Sequence, residues 1–159
     1  MDARIADPAG PQAVPIRFTT LLALGLGYFG AVFAAGFVLG VARTLALEPA
    51  FGPLWAVAME LPLMLAWAWW VCSRLLRRHP GLSTGAAVAL GALAFGCLMV
   101  AEAALSLGLG GRSLAGHLAL YREPSHALGL AGQLLFAAWP LVQVWRRPAL
   151  ARCGSAAGR

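Results

Sequence analysis

AVAMELPLMLAWAWWV, residues 56–71, is apolar except for one carboxylate, Glu60, placed two positions before Pro62. A segment of this composition belongs either in a large protein core or in a bilayer. The rest of the chain decides between them. Hydrophobic residues make up 60% of the 159 positions, and charged residues 11%. The mean hydropathy is +0.76. A soluble domain carries about 25% charged residues, so this chain has too few charges to cover a water-facing surface.

Three further runs resemble the first. Together they predict spans at about 18–42 (with room to continue to Leu47), 54–73, 84–107 and 126–145. Each reaches the ~20 residues that cross ~30 Å of hydrocarbon as a helix. Helices satisfy their own backbone hydrogen bonds in lipid, and the alternation of a barrel strand is absent. The first run is longer than the ~7–15 apolar residues of a signal peptide, so it reads as a retained span. The expected fold is all-α: a polytopic four-transmembrane-helix bundle over residues 17–146. Disordered cytoplasmic segments are expected at 1–16, where Pro8, Pro11 and Pro15 cluster, and at 147–159.

Every basic residue is arginine, a usage that suggests a GC-rich bacterial genome. Nine arginines (4, 17, 74, 77, 78, 146, 147, 152 and 159) fall on one side of the expected topology, and three (43, 112 and 122) on the other. The positive-inside rule then predicts an inner-membrane protein with both termini cytoplasmic. The net charge of +6 does not point to nucleic acid, because the arginines flank apolar runs instead of forming a polar face interleaved with aromatics. Trp67, Trp69, Trp70, Trp139 and Trp145 read as an aromatic belt. The second outer loop, GLGGRSLAGHLALYREPSH, places Leu114, Leu118 and Tyr121 on one helical face. Ser113 stands at its start and Pro124 beyond its end, which predicts a short interfacial helix.

Depth counting addresses Glu60. It lies seven residues into its span, roughly 10 Å by helix rise; Glu102 lies roughly 9 Å and Gln133 roughly 10 Å from the same outer side. Arg43 ends the first span in that layer. Gly36 and Gly40 share its face, with Gly25 further back, a pattern that lets another helix approach. Ala56, Glu60, Met64 and Trp67 align on span two, and Gly129, Gln133, Ala137 and Pro140 on span four. Ionisable groups in hydrocarbon face inward and find partners. The expectation is that Arg43 pairs with Glu60, Glu102 or both, that Gln133 completes the network, and that His117, Tyr121 and His126 contribute from the outer side. Pro62 should disturb the turn holding Glu60, and Pro140 should bend span four.

Cys72, Cys97 and Cys153 have no ligand spacing and read as small hydrophobes. No metal, cofactor or catalytic motif appears, so an enzyme is the less favoured class. The expected role is a structural, accessory or interaction protein, in contact with the bilayer and open to a homodimer or another membrane-protein partner. A small proton- or cation-coupled transporter or ion pathway using Glu60 and Glu102 is the alternative.

GFVLGVAR (36–43), ELPLM (60–64), AE (101–102), GRSLAGHLALYREP (111–124) and GLAGQLLFAAWPL (129–141) resemble an uncharacterised family of small four-span bacterial inner-membrane proteins. The resemblance spans roughly residues 22–143. It implies a stand-alone membrane protein and brings no activity, cofactor or catalytic residue.

Overall fold

A computed structural model describes residues 16–156, with side chains through Arg147. The expected disorder at 1–15 and the side chain of Cys153 lie outside what is described. All regular structure among the described residues is helical: α1 (Phe18–Ala42), a π-helical turn (Arg43–Leu47), α2 (Glu48–Phe51), α3 (Pro53–Arg77), α4 (Thr84–Gly108), α5 (Leu114–Leu120) and α6 (Pro124–Ala156). Four helices are long and apolar enough to cross a membrane: Phe18–Phe51, Pro53–Arg77, Thr84–Gly108 and Pro124–Arg147. At most 22% of the apolar window of each is buried inside the protein. Leu26, Phe37, Val38, Leu63, Val88, Val100 and Leu134 are exposed. Such a surface has lipid, not water, as its solvent, and the protein is a multi-pass membrane protein.

Three boundaries differ from expectation, one being the second span, which runs past Ser73 to Arg77. The first span does not end at Ala42 or Leu47 but continues to Phe51, where Gly52 turns the chain with a φ of +77°. A side chain is strained there and glycine is not. The last helix does not stop near Trp145; it runs to Ala156, through Pro148 and Gly154, two poor helix formers. Pro124, expected to terminate the short loop helix, opens α6 instead, a position where its missing N–H costs nothing. Ser113 caps α5 by accepting from the Gly116 N–H (3.1 Å), and Ser83 caps α4 through Ala86 (3.2 Å).

α6 packs along both α3 and α4, and α1 closes against the same two helices. The core is drawn from Leu24, Tyr28 and Val32 on α1, Ala68, Val71, Cys72 and Leu76 on α3, Ala87, Leu90, Ala94 and Leu98 on α4, and Phe136 on α6. The three- and four-residue spacings put each set on one face. Glycines set the closest approaches, but of the expected face only Gly25 does so. Gly36 has only the end of Met64 nearby (3.2 Å to an added Cβ), and Gly40 faces open space. Gly25 receives Leu93; outside that face, Gly132 receives Leu61, and Gly91 lies against the backbone carbonyl of Ala137.

Pro140 shapes the middle of the protein. Having no N–H, it leaves the carbonyl four residues earlier, that of Phe136, without its helical donor. Tyr28 reaches across from α1 and donates its hydroxyl to that carbonyl (3.0 Å), while its ring stacks on Phe136 at 4.5 Å. Tyr28 is fully buried. Tyr28→Phe should therefore cost about 1–2 kcal/mol, the penalty of a buried acceptor left unmade. In a Pro140→Ala background, where residue 140 can donate, the same change should cost under about 0.5 kcal/mol. Equal costs in both backgrounds, measured by reversible unfolding in mixed detergent, would show that the hydroxyl does not serve the proline.

Candidate functional site

The polar side chains gather at the end of the molecule where α1 meets α3 and α4 meets α6. They form two clusters, not one network. In the first, Arg43 Nε lies 2.7 Å from Glu60 Oε2, and its Nη1 donates to Glu48 Oε1 at 2.5 Å. In the second, Gln133 Nε2 donates to Glu102 Oε1 at 2.5 Å. Of the expected pairings, the Arg43–Glu60 and Glu102–Gln133 contacts are present. Among the described residues no ion pair joins Arg43 to Glu102. The clusters stand side by side, because Leu61 packs into the space at Gly132, next to Glu60 and Gln133 in sequence.

Glu48 was not anticipated, and the π-turn explains why. Pro49 cannot donate to the carbonyl of Leu45, and its ring crowds that carbonyl. The helix widens so that Glu48 N–H reaches Arg43 O, five residues back. In an ordinary α-helix residues five apart diverge in direction; the wider turn returns Glu48 to the side of Arg43. One guanidinium then serves two carboxylates, and the donor fork of arginine suits that geometry. The three side chains are 27%, 28% and 15% exposed for Arg43, Glu48 and Glu60, so the cluster sits near the rim of the span.

Around Glu102 the contributions from α5 and from the residues that follow it, up to the start of α6, differ residue by residue. His117 is buried and meets the Tyr121 ring edge-on at 5.5 Å. Tyr121 directs its hydroxyl to Met99 Sδ (3.9 Å), a weak acceptor. His126 makes its contacts within its own turn: its Nδ1 lies 3.4 Å from Glu123 Oε2 and 3.4 Å from Ser125 Oγ. Three buried polar atoms have no partner among the described residues: Ser106 Oγ, His117 Nδ1 and Gln133 Oε1. Ser106 is one helical turn beyond Glu102. No group of three or more metal-ligating side chains occurs among the described residues.

Burial, and then the charge of Glu102, push the Tyr121 phenol above its usual value near 10. The folded state thus holds the proton more tightly than the unfolded chain. The sign follows: this contribution to stability is complete below pH 10 and is lost as pH rises through the folded-state value. In a Tyr28→Phe background, where Tyr121 is the remaining one of two tyrosines, Glu102→Gln should lower the midpoint of phenolate absorption. An unchanged midpoint would mean that Tyr121 does not sense Glu102.

The opposite end is built from side chains bound to backbone carbonyls. Trp67 donates to Ala31 O (3.1 Å), Trp139 to Leu65 O (3.2 Å) and Gln143 to Trp69 O (2.9 Å). Arg147 donates to the carbonyls of Leu76 (2.6 Å), Pro80 (3.1 Å) and His79 (3.3 Å). Leu76 O also accepts from the His79 N–H (3.0 Å), and Arg147 adds a charged donor to this carbonyl and to those of His79 and Pro80, fixing the C-terminal end of α3. Gln143 is buried and was not singled out in the sequence, where a glutamine near a span end gives no signal of its partner. Between the two ends Tyr28, Leu90, Ala94 and Phe136 fill the interior with apolar side chains.

No protein-family model, curated protein or solved structure matches the chain.

Proposed function

We propose that the protein is a small helix-bundle protein of the bacterial inner membrane that serves a structural, accessory or interaction role. Its two polar clusters hold the helices in register at the periplasmic end. The arginine distribution supports cytoplasmic termini. Leu114 and Leu118, each 58% exposed, support α5 lying at the periplasmic interface with its leucines in lipid and His117 turned inward.

The observation that carries this reading is the apolar filling between the two ends. Tyr28 is 0% exposed, and Leu90 and Ala94 are 1% and 0% exposed. The polar groups of one end therefore have no continuation toward the other, as an ion or proton route would require. A second reading, a proton or cation pathway using Glu60 and Glu102, draws on the unpartnered atoms of Ser106, His117 and Gln133 beside Glu102. Reconstitution into liposomes separates the two. The accessory reading expects proton and monovalent-cation flux no greater than in protein-free vesicles. Flux that disappears in Glu60→Gln or Glu102→Gln would replace it with the pathway reading.

A further inference from the structure

We propose that the α1–α3 face carries a site for one anionic phospholipid, its acyl chain in the groove between the helices and its phosphate on Arg74 and Arg77. The groove is open, about 460 Å³ in volume, and lined by Ala35, Leu39, Leu63, Ala66, Trp67 and Trp70. Its floor is held by the Trp67 indole, which donates to Ala31 O across the two helices and stacks on Trp70 at 5.0 Å. Two small residues, Ala35 and Ala66, leave room where larger side chains would close the helices together.

The groove has a charged end. Trp70, Arg74 and Arg77 recur at four- and three-residue spacing on one face of α3. The Arg74 guanidinium lies over the Trp70 ring at 4.9 Å. Arg77 uses its Nε on the Ser73 carbonyl (3.3 Å), which leaves its two terminal amino groups for another acceptor. Leu63 lies eleven residues before Arg74, roughly 16 Å along the helix and about one leaflet of hydrocarbon. An acyl chain that begins at the arginines thus ends at Leu63 and Leu39.

Charge selects the headgroup. The described acids, Glu48, Glu60, Glu102 and Glu123, all lie at or near the opposite end. Among the described residues neither Arg74 nor Arg77 forms an ion pair. Arg147, the neighbouring cation, is occupied by three backbone carbonyls. Two arginines without an internal counter-charge, at the depth of the lipid phosphates, call for an external anion.

The test is native mass spectrometry of the full chain in detergent, supplied with equimolar phosphatidylglycerol and phosphatidylethanolamine of identical acyl chains. The protein should retain one phosphatidylglycerol about tenfold in preference to phosphatidylethanolamine, as two surface arginines predict. Arg74→Gln with Arg77→Gln should bring that ratio near one, whereas Arg112→Gln should leave it unchanged. Ala66→Trp, which fills the groove at an exposed position, should reduce phosphatidylglycerol retention with both arginines intact. Equal retention of the two lipids by the wild type overturns the site without recourse to any variant. A ratio insensitive to the arginine pair, or a lipid-free dimer that Ala66→Trp dissolves, overturns it as well, the latter assigning the groove to a second copy.

Discussion

Gly91→Ala should destabilise the protein by about 3 kcal/mol, at the upper end of what overpacking costs. The methyl group would enter the space occupied by the Ala137 backbone carbonyl on α6. A side chain could rotate away; a helical backbone cannot. The only relief is separation of α4 from α6, which would loosen the contacts of Leu90 and Ala94. Gly91→Leu should prevent native packing altogether. Gly96 provides the control: it lies on the same helix and an added Cβ meets nothing within 4 Å. Gly96→Ala should change stability by no more than about 1 kcal/mol, and in the favourable direction, from helix propensity. Reversible unfolding in mixed detergent, followed by tryptophan fluorescence, measures both. Equal stability of the two variants would show that α4 and α6 do not approach at Gly91.

Arg43→Leu is the second large effect, about 2–3 kcal/mol. Breaking a buried pair by removing one partner costs roughly 3–5 kcal/mol, and the partial exposure of this cluster lowers the figure. The loss arises less from the vanished attraction than from leaving Glu48 and Glu60 without a cation 2.5 and 2.7 Å away. It follows that Glu60→Gln added to Arg43→Leu should recover about half of the loss. Glu48→Gln alone should cost no more than about 1 kcal/mol, because it leaves a neutral pair of Arg43 and Glu60. An Arg43→Leu protein with wild-type stability would mean that the guanidinium is not held by these acids.

The four spans were legible because charge-free runs of sufficient length admit few other structures. That Glu60, Glu102 and Gln133 lie toward one end of the bundle was legible for the same reason: residue counting along a helix gives position along its axis. Partner choice was legible only in part: Arg43–Glu60 was among the expected pairs, but Glu48 was not. That partner depended on the π-turn at Arg43–Leu47, which shifts every residue after it relative to an α-helical count. The effect of Pro140 could be anticipated, but its answer came from Tyr28, 108 residues away, and nothing local announces such a donor. The glycine pattern misled for a related reason. Gly36 and Gly40 form a packing motif by spacing, yet only the helix opposite decides whether the space is used. Gly91 and Gly132, which no motif marks, are where neighbours enter.

The central claim is that the polar end divides into an Arg43–Glu48–Glu60 cluster and a Glu102–Gln133 cluster. Paired double-mutant cycles test it most directly, using Arg43→Leu with Glu60→Gln and Arg43→Leu with Glu102→Gln, each read as unfolding free energy. The account predicts a coupling of about 1–3 kcal/mol for the first pair and under about 0.5 kcal/mol for the second. Equal couplings, or a larger one between Arg43 and Glu102, would contradict the division.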